Sequence, residues 1–141
     1  MDEEKGNNVG SELEIPKGTS PEDAKARKQI ISDFYAKWIA DHPDKKVWNE
    51  SLGAYIHIKF QSINETKGHA SISYESTCAV LELTKLLERA IVAKRTKAKT
   101  NDKNQKPYDQ MVFLFHNGIR LLVAHQKSTD EYVQYCITAK K

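Results

Sequence analysis

Two cysteines, four prolines and six glycines in 141 residues leave little to staple or punctuate this chain. Cys78 and Cys136 lack CxxC spacing and are too few for the disulfide framework of a small secreted domain. No apolar run approaches the roughly 18 residues that cross a bilayer; the longest, itself interrupted, is Met111–Ala124. The opening MDEEKGNNVG is acidic and polar, unlike a signal or transit peptide. Also missing are HExxH, the P-loop, GxGxxG, GxSxG and any Cys/His spacing suited to a metal. These absences point to a cytoplasmic protein with no membrane span, no cofactor and no metal. A chain of this length can bury about two-thirds of its unfolded surface, enough for one core and too little for two.

What the chain has is charge, unevenly placed. Its formal net charge of +3 divides into −3 over residues 1–19 and +6 over residues 20–141. The first stretch is polar, acidic and without apolar periodicity, so it reads as a disordered tail. Residues 20–141 read as the single domain. Its basic excess gathers at Lys94, Arg95, Lys97, Lys99, Lys103 and Lys106, opposed only by Asp102. Such a cluster can neutralise several phosphates of RNA or another polyanion. The plainer reading is a solvated helix end, where cations complement the dipole.

Ser20-Pro21-Glu22-Asp23 is a helix start, with serine at the N-cap, proline in the first turn and acids behind it. Ile30, Ile31, Phe34, Tyr35, Trp38 and Ile39 follow as one stripe of period 3.6, and Pro43 stops it. Ala54–Phe60 alternates, with Ile56, Ile58 and Phe60 on one side and Tyr55, His57 and Lys59 on the other, as in a half-buried strand. Trp48 flanks a loop, and Asn64–His69 reads as loop too. The spacing of Val80, Leu83, Leu87, Ala90 and Ile91 predicts a second, long helix from about Ser73 to Lys97. Asn117-Gly118 between two apolar runs predicts a type I′ hairpin, and Glu131–Thr138 alternates as a last strand. The fold class is α+β: helix, strand, long helix, then a three-strand antiparallel meander completing a four-stranded sheet.

Histidine is the side chain that exchanges protons near neutrality. His57 shares a strand face with Lys59, and His69 lies in the polar stretch Lys67–Ser71. Metal-free RNA cleavage needs a base, an acid and a cation. His69 and His57 could serve as base and acid and Lys59 as cation, with Arg120 a further positive charge. Against this, histidines on strands and loops are usually surface or hydrogen-bonded groups. His42, His116 and His125 carry no pattern beyond their place near element ends. The alternative to an enzyme is a module that binds nucleic acid or a protein partner, with Lys94–Lys106 supplying the phosphate contacts. Oligomeric state is not legible.

Short motifs from Phe34 to Ala139 resemble the large polyvalent protein-associated domains of bacterial mobile elements, especially in Bacteroidetes. They are Phe34-Tyr35-x-x-Trp38, Val47-Trp48-Asn49, Ile58-Lys59-Phe60-Gln61-Ser62-Ile63-x-Glu65-Thr66, His69-Ala70, Ser76-Thr77-x-Ala79-Val80-Leu81-x-Leu83 and Ile137-Thr138-Ala139. Those domains are in turn similar to the barnase/EndoU/RelE group. The resemblance implies helices followed by a four-stranded ribonuclease-like sheet, and metal-free RNA cleavage where the chemistry is kept. It favours His69 as the recurrent histidine. Thr138 alone echoes the group on the last strands, which implies an inactive relative used as a binding surface.

Overall fold

The computed structural model describes residues 14–99, 102, 103, 105 and 107–139. Helix α1 spans Pro21–Asp41; the Ser20 hydroxyl accepts from the Asp23 N–H at 3.1 Å, as the N-cap requires. Its buried side is Arg27, Ile31, Tyr35 and Trp38, one stripe at helical spacing. The N-terminal tail lies outside the described residues up to residue 13. Residues 14–19 are not free of the domain: Ile15 is buried, and Arg27 Nη1 donates to the carbonyls of Pro16 and Gly18 at 2.8 Å each.

Two strands follow where the sequence suggested one. β1 (Lys46–Asn49) pairs antiparallel with β2 (Ala54–His57), so Trp48 stands on a strand rather than beside a loop. β2 stops at His57, short of the expected Phe60. Phe60 instead opens helix α2 (Phe60–Ala70) and is 76% exposed, because the chain turns at Ile58–Lys59. The Asn64–His69 stretch expected as loop lies within this helix. Ser62, Thr66 and Ala70, four residues apart, make its buried stripe, and small polar residues give no apolar period to read.

The expected long helix from Ser73 to Lys97 is three elements. α3 (Tyr74–Val80) and α4 (Leu83–Arg89) are separated by a turn at Leu81–Glu82, and Ile91–Lys97 is strand β3. The Asn49 amide terminates α4 by donating to the carbonyls of Leu87 and Ala90 at 2.8 and 2.9 Å. The chain then extends, and β3 pairs antiparallel with β4 (Tyr108–His116).

The hairpin forms as the sequence predicts. Asn117 and Gly118 have φ of 49° and 77°, and His116 pairs with Ile119 at the start of β5 (Ile119–Gln126). β6 (Glu131–Ala139) closes the antiparallel meander. The α+β class therefore stands, but the four-stranded meander is replaced by a six-stranded mixed sheet of order β1-β2-β6-β5-β4-β3. β2 lies parallel to β6 through only two pairs, Ile56 with Tyr132 and His57 with Val133. Beyond these, α2 and α3 line the edge of β6: Gln134 Nε2 donates to Thr66 Oγ1 at 2.6 Å, and the Ala139 N–H donates to Ser76 Oγ at 2.9 Å.

All four helices contribute to the main core. Ile31, Tyr35, Ala70, Val80, Leu83, Leu86 and Leu87 meet Val112, Leu114, Leu121, Val123 and Ile137 of the sheet. The opposite face holds a smaller cluster, including Met111, Leu122, Ala124, Tyr135 and Cys136. The Val92 N–H donates to Ser51 Oγ at 2.9 Å, so the start of β3 reaches the β1–β2 turn at the other edge of the sheet. Among the described residues no helix is long and apolar enough to cross a membrane.

Candidate functional site

The first-strand pair expected to carry chemistry sits where β2 gives way to α2. His57 Nδ1 is 3.5 Å from Glu131 Oε2, and Lys59 Nζ donates to the same carboxylate and to Gln126 Oε1 at 3.0 Å. Burial lowers the His57 pKa, reinforced by Lys59 and Lys46, and outweighs the raising effect of Glu131. Its imidazole is therefore neutral near pH 7. The hydrogen bond from Lys59 holds the Glu131 carboxyl below its ordinary range. The ion pair is thus Lys59–Glu131, and the cation expected for phosphate is engaged by a carboxylate. His69 stands at the far end of α2, about 15 Å of helix away, with Nε2 3.4 Å from Glu65 Oε1. The structure brings His57 and Lys59 together. It does not bring His69 to either, so the expected acid–base pair at one phosphate is not formed.

The cations fare differently. Lys94, Arg95 and Lys97 lie on β3, an exposed edge strand, and not on the helix end the sequence suggested. Alternation sends them to opposite faces. Lys94 pairs with Phe113 and holds Nζ 5.0 Å from the centre of its ring. From β5, Arg120 places its guanidinium carbon 5.7 Å from the same ring, and among the described residues its buried Nε meets no acceptor. Phe115, opposite Arg120 in the hairpin, is 38% exposed. On the other side Arg95 Nη1 donates to Gln110 Oε1 at 3.0 Å and to Tyr132 Oη at 3.3 Å. Lys99 and Lys103 are exposed in the β3–β4 connection, whereas Lys106 lies outside the described residues.

His125, which follows no functional pattern in the sequence, is held from both sides. Its Nδ1 is 2.8 Å from Asp109 and its Nε2 2.8 Å from Asp130, so each ring nitrogen faces a carboxylate. The hydrogen bond to Asp109 is the largest of the effects that raise its pKa, with Asp130 adding to it and burial opposing. Asp109 sits at a register shift in β4 and Asp130 has φ of 56°, so neither follows the strand period that a sequence shows. A histidine with a raised folded pKa stabilises fully below its unfolded pKa of about 6.5 and loses that contribution as pH rises through the folded pKa. His125→Gln should therefore flatten the fall in stability as pH rises above about 6.5, as read by urea unfolding. A variant as steep as the parent would remove His125 as the cause.

Among the described residues no three His, Cys, Asp or Glu side chains converge as a metal cage, and both cysteines are free thiols. Burial raises the thiol pKa of Cys136 well above its ordinary value, which keeps it protonated. Neither a curated protein nor a solved structure matches the chain. The family model that does match is that of large polyvalent protein-associated domain 3, over residues 22–126. The match takes in α1 through β5, including the β1–β2 hairpin and the basic edge strand, and leaves β6 beyond its end. With about three-quarters of its residues covered, the chain belongs to the large polyvalent protein-associated domain 3 family.

Proposed function

We propose that this domain is a cytoplasmic, mobile-element-associated module that binds RNA through the cations of β3 and Arg120. The observation that carries the reading is the Lys94–Phe113–Arg120 stack. Two cations flank one ring on the sheet, with Lys94 Nζ 5.0 Å and the Arg120 guanidinium carbon 5.7 Å from its centre. Phosphate oxygens are strong acceptors for ammonium and guanidinium donors. Arg95, Lys97 and Lys99 extend the positive field along the same edge. A set dominated by lysine acts as point charges, so its contacts are with the phosphate backbone rather than with base edges. The same charges also discourage strand-to-strand aggregation at an open edge, a role that does not require Arg120 beside Lys94 on the Phe113 ring.

RNA cleavage would need an acid, a base and a cation gathered at one phosphate. Its three candidate residues are split between the two ends of α2, and Lys59 is paired with Glu131. Kinship with the barnase/EndoU/RelE group is supported by the order of helices before the β4–β5–β6 meander, and it concerns fold alone. Within a large polyvalent protein such a domain would hold the chain to nucleic acid.

The test is the salt dependence of binding to a labelled RNA between about 50 and 200 mM salt. Each cation that reaches a phosphate adds about 0.7–0.9 to the slope of log affinity against log salt. Replacing Lys94, Arg95, Lys97 and Lys99 together by glutamine should lower that slope by about 0.7 if Lys94 alone reaches a phosphate and by about 3 if all four do. All four are exposed, so the fold should survive the change. An unchanged slope, or no salt-sensitive binding by the parent protein, overturns the proposal.

A further inference from the structure

The most exposed aromatic pair of the sheet lies away from the basic strand. Trp48 and Tyr55 face each other across β1 and β2, each 45% exposed, with ring centres 5.2 Å apart and planes at 78°. Lys46 Nζ lies 4.4 Å from the centre of the Tyr55 ring, and Trp48 Nε1 donates to Glu50 at 3.3 Å. A cross-strand contact explains why the two rings meet. It does not explain why the face of a tryptophan is left in water beside a lysine.

Register places this pair on the same side of the sheet as the Lys94–Phe113–Arg120 stack. Tyr55 is two residues from His57, and His57 is level with Val133, Ala124 and Met111 across β6, β5 and β4. Met111 is two residues from Phe113, so both aromatic groups share that face. Four strand spacings separate β1 from β4, about 19 Å along the sheet. Each end thus offers an aromatic ring with a cation beside it.

We infer that the Trp48–Tyr55 pair is a base-stacking platform, and that the ligand is single-stranded nucleic acid contacted at both ends of one sheet face. The inference rests on the binding reading above and adds the class of nucleic acid. Bases in a duplex are stacked on one another, and only an unpaired strand can offer a base to an open ring. Lys46 meets the phosphate beside the stacked base, as Lys94 and Arg120 do at the other end. A strand reaching both needs on the order of 4 or more nucleotides.

Tryptophan fluorescence reads the platform directly. The chain has two tryptophans, and Trp38 is 5% exposed with Nε1 bonded to Thr84 Oγ1 at 3.0 Å. Quenching by a ligand in solution therefore reports Trp48. A 15-nucleotide oligouridine should quench it, while a 15-base-pair RNA duplex and a dinucleotide should not. Trp48→Ala should weaken oligouridine binding by about 5- to 100-fold, the range of one lost stacked base, with the salt slope kept. Trp48→Phe, which keeps a ring on β1, should recover most of the affinity and so separates stacking from any loss of hairpin stability. Equal affinity of the Trp48→Ala protein for oligouridine, or quenching by duplex as strong as by single strand, overturns the inference and leaves the cation-based proposal standing. Loss of salt-sensitive binding in the parent protein would overturn both.

Discussion

Arg27→Met is expected to cost about 3–5 kcal/mol of folding stability, more than any other single substitution considered at a buried polar side chain. Arg27 is buried on α1, and its guanidinium is met by backbone carbonyls. Nε donates to Ser71 at 2.7 Å, Nη1 to Pro16 and Gly18, and Nη2 to Ile72 at 3.3 Å. Ser71 follows the last residue of α2, so this side chain closes that helix as well as tying residues 16–18 to the domain. Methionine fills much of the volume but leaves four acceptors unmet, each costing about 1–3 kcal/mol where water cannot reach. Lysine should rescue little, because three donors on a point charge cannot reproduce a planar fork. Urea unfolding of Arg27→Met and Arg27→Lys measures this. A loss below about 1 kcal/mol in the methionine variant would show that water replaces the guanidinium at these carbonyls.

Asn49 is the second such point. It is fully buried, spends both amide hydrogens on Leu87 and Ala90, and accepts the Leu52 N–H at 2.7 Å. One side chain thereby shapes the β1–β2 turn and ends α4. Asn49→Ala should lose about 2–4 kcal/mol. Asn49→Asp is the sharper test: it is nearly the same size, yet turns a carboxylate oxygen toward two carbonyl oxygens. It should be at least as unstable as the alanine protein near pH 7 and should recover part of the difference in acid, where the carboxyl can donate. An aspartate variant as stable as the parent in thermal or urea unfolding would mean that the α4 carbonyls find other donors.

These two residues also mark where the sequence stops being legible. Helix α1 is readable because its cap, its acids and its apolar stripe all lie within about twenty consecutive residues, and the hairpin because Asn117-Gly118 carries its own dihedral requirement. Helix α2 hides because its buried face is Ser62, Thr66 and Ala70, whose partners Gln134 and Tyr35 come from β6 and α1. The end of α4 hides because its donor is Asn49, about forty residues upstream. Charge at Lys94–Lys99 is plain in the sequence, but its setting on a strand depends on that distant amide. The site splits in the same way. His57 and Lys59 are neighbours by alternation, whereas the role of His125 depends on an aspartate at a strand irregularity and another in a left-handed turn.

The parallel join of β2 to β6 has a consequence for the order in which the molecule assembles. Its two residue pairs link positions more than half the chain apart, so loop closure is costly and the ladder that rewards it is short. The β4–β5–β6 meander closes through two tight turns and has little such cost. On this balance the meander is expected to form first and the β1–β2 hairpin to dock late, with Asn49 as its latch. A segment that arrives late with few rungs is also among the first to open. The surface bearing Trp48 thus rides on the part of the sheet most able to open.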